Sequence, residues 1–105
     1  MKTILTASLA ILALALATST YMFADAPADF KAKCAACHGA GGAGDTAMGK
    51  NMKIRDLGSA DVQGQSDAQL TDIITKGKGH MPAYDGKLSK DQINDLVKYI
   101  RTLKK

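Results

Sequence analysis

The stretch CAACHGAGGAG, residues 34 to 44, contains two overlapping motifs that predict different folds. Its first part, Cys34 to His38, matches C-x-x-C-H, the pattern of covalent haem attachment. Its second part, from Gly39, matches G-x-G-x-x-G, the pattern that cradles a dinucleotide pyrophosphate. The two motifs require different surroundings, so the rest of the chain decides between them.

The glycine motif lacks the surroundings that dinucleotide binding requires. A strand should precede it, a helix should start within it, and an acidic residue should follow about 20 positions later. Here a helical segment precedes Gly39, and no segment of the chain reads as a strand. We therefore expect these glycines to allow the backbone to leave the helix and to pass close to a bulky group.

The N-terminal 26 residues have the pattern of an export signal. Lys2 supplies the positive charge, Ile4 to Ala17 the apolar stretch, and Ala24-Asp25-Ala26 an A-x-A cleavage site. This predicts a signal peptide over residues 1–26, a domain over residues 27–105 and a periplasmic location. Earlier cleavage and an uncleaved membrane anchor remain alternatives.

The remaining domain has 79 residues (105 less 26) and keeps three aromatic side chains, Phe30, Tyr84 and Tyr99. Chains below roughly 80 residues seldom build an adequate core without a staple such as a metal or a disulfide. Cys34 and Cys37 would close too short a loop for a disulfide to constrain the unfolded chain. We therefore expect a bound group to complete the core.

The charge balance is basic, with 14 Lys and Arg against 10 Asp and a net charge of +4. A basic surface favours attraction to an acidic protein partner; the alternative is a charged surface that only aids solubility. No basic run is interleaved with aromatic residues, which argues against nucleic-acid binding.

Hydrophobic spacing and capping signals predict an all-α domain. A first helix is expected over Asp29 to His38, and S-x-x-Q capping boxes at Ser66 and Ser89 predict two more. The helix from Ser66 should bury Leu70, Ile73 and Ile74. The last should run to about Leu103 with one apolar face of Ile93, Leu96, Val97, Ile100 and Leu103. Between them, Gly39 to Gly64 predicts an irregular loop with one helical turn near Ile54 to Leu57.

The cysteine motif fits such a helix. Residues at i, i+3 and i+4 share one face ~5–6 Å apart, so both thiols and the imidazole of His38 would face one group. Two thiols can then reach two vinyl groups while the imidazole reaches the iron. A thioredoxin-like pair, which needs a βαβ context, and a zinc site of Cys34, Cys37, His38 and His80 remain alternatives.

With these motifs the chain resembles the class I c-type cytochromes, particularly small bacterial ones. The resemblance rests on Cys34 to His38, on Gly79-His80-Met81-Pro82-Ala83-Tyr84 and on the closing amphipathic helix. It implies three to four helices wrapped around one covalently bound haem c, attached at Cys34 and Cys37. It further implies that His38 and Met81 are the axial ligands of the iron, and that Phe30 packs against Leu96 and Tyr99.

The resemblance has one departure. Such proteins often carry a proline about a dozen residues after the haem-binding histidine, and its carbonyl orients the imidazole. Lys50 stands roughly there, and we expect its carbonyl to accept the proton of His38.

The function implied is electron carriage and not catalysis. The resemblance predicts a monomeric shuttle between membrane or periplasmic redox proteins with acidic docking surfaces. Five lysines are expected around the haem edge: Lys50, Lys53, Lys76, Lys78 and Lys87. The alternative is a haem peroxidase or gas sensor, if Met81 dissociates readily. Met48 and Met52 are expected to pack against the ring, and His80 to point away from it.

Overall fold

Six helices form the regular structure of residues 25–105, the part of the chain that the computed structural model describes. They are α1 (Asp25–Lys33), α2 (Ala35–His38), α3 (Ala47–Asn51), α4 (Ala60–Gln63), α5 (Asp67–Lys76) and α6 (Lys90–Thr102). These residues contain isolated bridges but no strand, so the all-α prediction is confirmed. The signal-peptide prediction for residues 1–26 lies outside the described residues, apart from Asp25 and Ala26, which belong to α1.

The core forms where α1 packs against α6. Phe30 on α1 and Leu96 on α6 are the most deeply buried large side chains, at 2% and 1% exposure. The rings of Phe30 and Tyr99 lie 5.2 Å apart with a tilted geometry that favours edge-to-face attraction. The predicted packing of Phe30 against the last helix is confirmed.

Both predicted capping boxes are present, and each fixes the start of a helix. The backbone N–H of Gln69 donates to the Ser66 hydroxyl at 3.1 Å, and the backbone N–H of Ser66 donates to the Gln69 side chain at 2.8 Å. The box at Ser89 has the same two bonds at the start of α6. Of the apolar side chains predicted to be buried, Ile73 and Leu103 are only half-buried.

The first predicted helix is broken and begins earlier than expected. The helix predicted over Asp29 to His38 is divided into α1 and α2 by a turn at Cys34. At this turn the N–H of Cys37 bonds to the carbonyl of Cys34 at 3.2 Å, in the tighter pattern of a 3₁₀ turn.

The glycine-rich segment contains two short helices that the prediction missed. Thr46 and Ser59 cap α3 and α4, each accepting a bond from the N–H three residues later. The predicted turn near Ile54 to Leu57 is wrong, because the N–H groups of these two residues bond to the carbonyls of Gly49 and Gly42 at 2.9 and 2.8 Å. The first of these bonds closes the end of α3 and the second reaches across the loop, and together they hold this stretch away from helical geometry.

Two long polar side chains tie the glycine-rich segment to α6. The Gln63 amide donates to the carbonyls of Leu57 and Ile100 at 2.8 and 3.0 Å. The Arg101 guanidinium donates to the carbonyls of Gln63 and Gln65 at 2.9 and 2.5 Å. The short helix α4 and the residues after it are thereby fixed to α6.

Candidate haem-binding site

The segment that carries the thiols is hydrogen-bonded to the loop that follows it. Cys34, Cys37 and His38 are half-buried, and both cysteines are free thiols. The N–H of Gly44 donates to the carbonyl of His38, and the hydroxyl of Thr46 to that of Cys37, each at 2.7 Å. These bonds satisfy carbonyls that a helix as short as α2 leaves without partners.

Gly49 makes this close approach possible. A Cβ at this position would lie 2.6 Å from the carbonyl oxygens of both Cys37 and Gly44. Any other residue would therefore push the loop away from the thiol segment. The glycines do permit a close approach, as predicted, but at this position the neighbour is backbone.

The segment that carries Met81 folds back onto the end of α5. Gly77 ends α5 with a φ of 75°, and a Cβ there would lie 2.6 Å from the carbonyl oxygen of Met81. Lys78 and Met81 exchange backbone hydrogen bonds of 3.2 and 3.0 Å. The Met81 side chain is half-buried and packs against the core, whereas His80 is exposed.

The thiol and methionine segments face the same space. A cavity of about 340 Å³ is lined by Cys34, His38 and Met81. A second cavity, of about 300 Å³, is lined by these three residues together with Cys37, His80 and other residues. Each volume lies in the range of ligand pockets, ~300–1,000 Å³. The rest of the larger cavity's wall is mainly apolar: Phe30, Ile54, Leu57, Val62, Leu70, Ile73, Ile74, Leu96 and Ile100.

Burial sets the protonation of the candidate ligands. It lowers the pKa of His38, so the imidazole is held in the neutral form that binds metals. Burial, followed by the negative charge of Asp29, raises the pKa of the Cys34 thiol to about 11. Burial also raises the pKa of Tyr84, with a further contribution from the Cys34 and Cys37 thiols.

These residues fit a covalently attached haem. Two free thiols, a neutral imidazole and a thioether line two cavities that share part of their walls, and these are the donors that haem c takes in His/Met-ligated cytochromes. The Nδ1 atom of His38 is buried without a hydrogen-bond partner among residues 25–105, so no hydrogen bond to this nitrogen competes with a bound group for the imidazole.

The predicted bond from His38 to the Lys50 carbonyl is not formed. That carbonyl accepts the N–H groups of Met52 and Lys53 instead, because α3 ends there in a tight turn. The imidazole of His38 is thus positioned by its backbone and by packing.

The alternatives to haem find no support in the described residues. Within residues 25–105, no three His, Cys or Asp side chains are grouped to hold a metal ion, so the zinc site is not assembled. The strand that a dinucleotide site or a thioredoxin-like pair requires is also missing from this part of the chain.

The structure also places residues that sequence reasoning left out or misplaced. Lys33, Arg55 and Gln65 line the cavities, and only the contacts of the folded loop could have shown this. Met48 and Met52 are 48% and 37% exposed, and only Met52 lines a cavity. Met48 lines neither of the two cavities, and its packing against a haem ring stays a prediction.

None of the helices within residues 25–105 is both long and apolar enough to cross a bilayer.

Comparison with known proteins identifies the family. Residues 22–100 match the family described as cytochrome c oxidase, cbb3-type, subunit III. The chain is 41% identical over 71 residues to cytochrome c6 of Leptolyngbya boryana, a match that covers 68% of this chain and 80% of that protein. It is 37% identical to cytochrome c-551 of Halorhodospira halochloris, over 64% of this chain and 77% of that protein.

A solved structure shows the same fold. The c-type cytochrome KustC0563 superimposes with a TM-score of 0.71 and 27% sequence identity, covering 76% of this chain and 98% of that one. Because the family match, the relatives and the fold agree with the C-x-x-C-H segment and its cavity, the chain belongs to the class I c-type cytochromes, electron-transfer proteins that carry covalently bound haem c.

Proposed function

We propose that this protein carries single electrons between redox proteins of the periplasm, with haem c attached at Cys34 and Cys37 and held by His38 and Met81. The observation that carries the proposal is the placement of Cys34, His38 and Met81 on one cavity. The haem supplies a one-electron iron couple, whose potential a His/Met ligand set raises.

Each residue has a distinct role in this proposal. The two thiols would attach the haem by thioether bonds to its vinyl groups and so fix its orientation. The neutral imidazole of His38 and the sulfur of Met81 would both bind the iron, which would leave no position open for a substrate. The apolar side chains of the cavity exclude water and so disfavour the more highly charged ferric state.

Replacing Met81 tests the ligand assignment, with His80 as the matched control. Met81→Ala should lower the reduction potential sharply and abolish the ferric sulfur-to-iron charge-transfer band. His80→Ala should keep that band, because His80 is exposed and lines only the second cavity. A band that survives in Met81→Ala, or a bis-imidazole signal in paramagnetic resonance, would contradict the assignment. Ready binding of carbon monoxide by the reduced wild type would favour the peroxidase or sensor alternative.

The proposed partners are redox proteins with acidic docking surfaces. The five predicted lysines are all exposed, but only Lys53 and Lys78 line a cavity. Lys76 pairs with Asp72 at 2.8 Å, and the ammonium of Lys87 lies 5.9 Å from the ring of Tyr84. The group that supports docking at the cavity mouth is therefore Lys33, Lys53, Arg55 and Lys78, with the exposed Met52 beside it.

Salt dependence tests this docking surface. Lys78→Gln should slow electron transfer to an acidic redox partner and flatten its decline with salt, because rim charges act mainly on the association rate. Lys90→Gln, an exposed change at the start of α6, is the control and should leave the rate nearly unchanged. Rates that do not respond to salt in the wild type would indicate that the lysines only aid solubility.

We also propose that the signal peptide is removed, giving a monomeric domain of residues 27–105. The support is the sequence pattern of residues 1–26. The mass of the periplasmic protein and its elution volume test both points. A mass that retains residues 1–26 would instead support a membrane anchor.

A further inference from the structure

The break between α1 and α2 leaves one backbone carbonyl without its helical partner. In an uninterrupted helix the carbonyl of Lys33 would accept the N–H of Cys37. That N–H bonds to the carbonyl of Cys34 at 3.2 Å, and the N–H of His38 bonds to the same carbonyl at 2.9 Å. The carbonyl of Lys33 instead accepts the hydroxyl of Tyr84 at 2.9 Å.

The backbone of Tyr84 is fixed independently of its side chain. Its N–H donates to the carbonyl of Ile74 near the end of α5, and its carbonyl accepts the N–H groups of Lys87 and Leu88, each at 3.0 Å. The half-buried side chain packs against the core. Tyr84 therefore reaches from a fixed point on one side of the cavity to the break on the other.

This bond has no duplicate in the described residues. Between the Met81 segment (residues 77–88) and the thiol segment with its loop (residues 25–51), it is the one hydrogen bond that the structure shows within residues 25–105. Gly77, Gly79 and Gly86 all have positive φ values in the Met81 segment. Because glycines give this backbone more conformational freedom than other residues would, the hydrogen bond of Tyr84 is expected to limit how often the segment opens.

We propose that Tyr84 is a positioning residue, whose hydroxyl clamps the Met81 segment against the Cys34 turn and so keeps the sulfur of Met81 on the iron. This inference rests on the proposed role of Met81 as an axial ligand. Met81 lies three residues before Tyr84, and both line the second cavity with Cys34 and Cys37. When the hydrogen bond of Tyr84 breaks and its segment moves away from the Cys34 turn, Met81 moves with it.

The test removes only the hydroxyl. Tyr84→Phe keeps the ring, and Tyr99→Phe is the matched control, because the Tyr99 ring packs on Phe30 and no hydrogen bond of its hydroxyl is seen in residues 25–105. The holoprotein is titrated with imidazole while the charge-transfer band is followed. Imidazole enters only where Met81 has left, so its apparent affinity reports the population of the open state.

We expect Tyr84→Phe to bind imidazole about two- to tenfold more tightly than the wild type, the range that one lost hydrogen bond gives. Tyr99→Phe should match the wild type. The backbone N–H of Met81, which donates to the Lys78 carbonyl at 3.0 Å, should also exchange with solvent faster in Tyr84→Phe alone. The exchange rate of this amide provides a second measurement, which can still be made if the variant gives too little holoprotein for the imidazole titration.

Three results would overturn the inference. Equal imidazole affinity and equal exchange in Tyr84→Phe and wild type would show that the hydroxyl holds nothing. An equal gain in imidazole affinity in Tyr99→Phe would show that loss of either hydroxyl loosens the whole domain, and that the Tyr84 hydroxyl has no specific role. A wild-type protein without the charge-transfer band would refute Met81 ligation itself, and this inference with it, whereas the first two results leave that ligation standing.

Discussion

The two sides of the cavity are built on different physical principles. On one side, α1 and α6 bury side chains against each other, with Phe30 and Leu96 almost completely enclosed. On the other side, residues 39–65 are held mainly by backbone hydrogen bonds, and Val62 is the one large apolar side chain among them that is fully buried. Both sides line the cavity, but the helical side also buries Ile93 and Val97, which do not line it, whereas the partly buried Ile54 and Leu57 of the loop side both lie against it.

This difference shows where the protein depends on its cofactor. An apolar side chain that lines a cavity gains dispersion contacts on that side only when something fills the cavity, so residues with little other burial depend on the filling most. The loop side therefore needs the haem, while the helical side needs it less. The comparison can be tested by changes that act on one side at a time.

The largest effect is expected from removing both thiols. The double variant Cys34→Ala with Cys37→Ala, made in the cytoplasm, cannot attach haem covalently. It should lose cooperative folding, because a domain this small buries too little apolar surface without the cofactor. Circular dichroism during thermal unfolding, compared with the holoprotein, measures this. A helical apoprotein with a sharp transition would show that the helical side folds the whole chain alone.

The next effect tests the helical side in the holoprotein. Ile93 is 3% exposed and does not line the larger cavity, so Ile93→Ala should lower the free energy of unfolding by about 2–5 kcal/mol without changing the haem spectrum. Its exposed neighbour provides the control, since Asn94→Ala should stay within ~0.5 kcal/mol of the wild type. Urea unfolding measures both. A spectral change in Ile93→Ala would mean that the two sides are not separable.

The helical side is also the part that the sequence predicted well. The capping boxes at Ser66 and Ser89 and the apolar face of α6 are local signals, and each is confirmed because neighbours in sequence decide it. The motif at Cys34 to His38 is local too, and it indicated the cofactor correctly.

The loop side was predicted poorly for the opposite reason. The helical turn near Ile54 to Leu57 is wrong because the N–H of Leu57 bonds to the carbonyl of Gly42, on the far side of the loop, and no local pattern encodes such pairing. Outside the loop side, the predicted continuous helix through Cys34 is interrupted, and the Lys33 carbonyl freed there accepts the hydroxyl of Tyr84, which is 51 residues away in sequence. Contacts between residues far apart in sequence, which no local pattern shows, are part of both features.

A single methyl group should disturb the loop side. In Gly49→Ala the new Cβ would lie 2.6 Å from two backbone oxygens, those of Cys37 and Gly44, so the loop must shift at a cost of about 1–3 kcal/mol. Gly41→Ala is the control from the same loop: a Cβ there meets nothing within 4 Å, and its φ is not positive. It should be neutral or slightly stabilising. Urea unfolding of the holoprotein distinguishes them, and equal stability of the two variants would mean that the loop yields easily.

The smallest effect concerns the ion pair that joins α6 to the start of α5, the helix that follows the loop side. Arg101 on α6 lies 2.8 Å from the carboxylate of Asp67, which begins α5 next to the loop. Three-quarters of the Asp67 side chain is exposed, so the pair should contribute only ~0.2–1 kcal/mol. Asp67→Asn should therefore lower the free energy of unfolding by about 1 kcal/mol, because it also removes a negative charge from the first turn of a helix.

The matched control separates these two contributions. Asp91 lies in the first turn of α6, two residues after the capping serine, and no ion pair of its side chain is seen within residues 25–105. Asp91→Asn therefore loses only the favourable interaction with the helix dipole, and the difference between the two variants is the contribution of the pair. That difference should decrease in 1 M salt, where the screening length of ~3 Å is close to the 2.8 Å separation of the charges. A difference that persists would show that the pair is shielded from solvent, and that α6 holds the loop side by more than the bonds of Arg101 and Gln63 to backbone carbonyls.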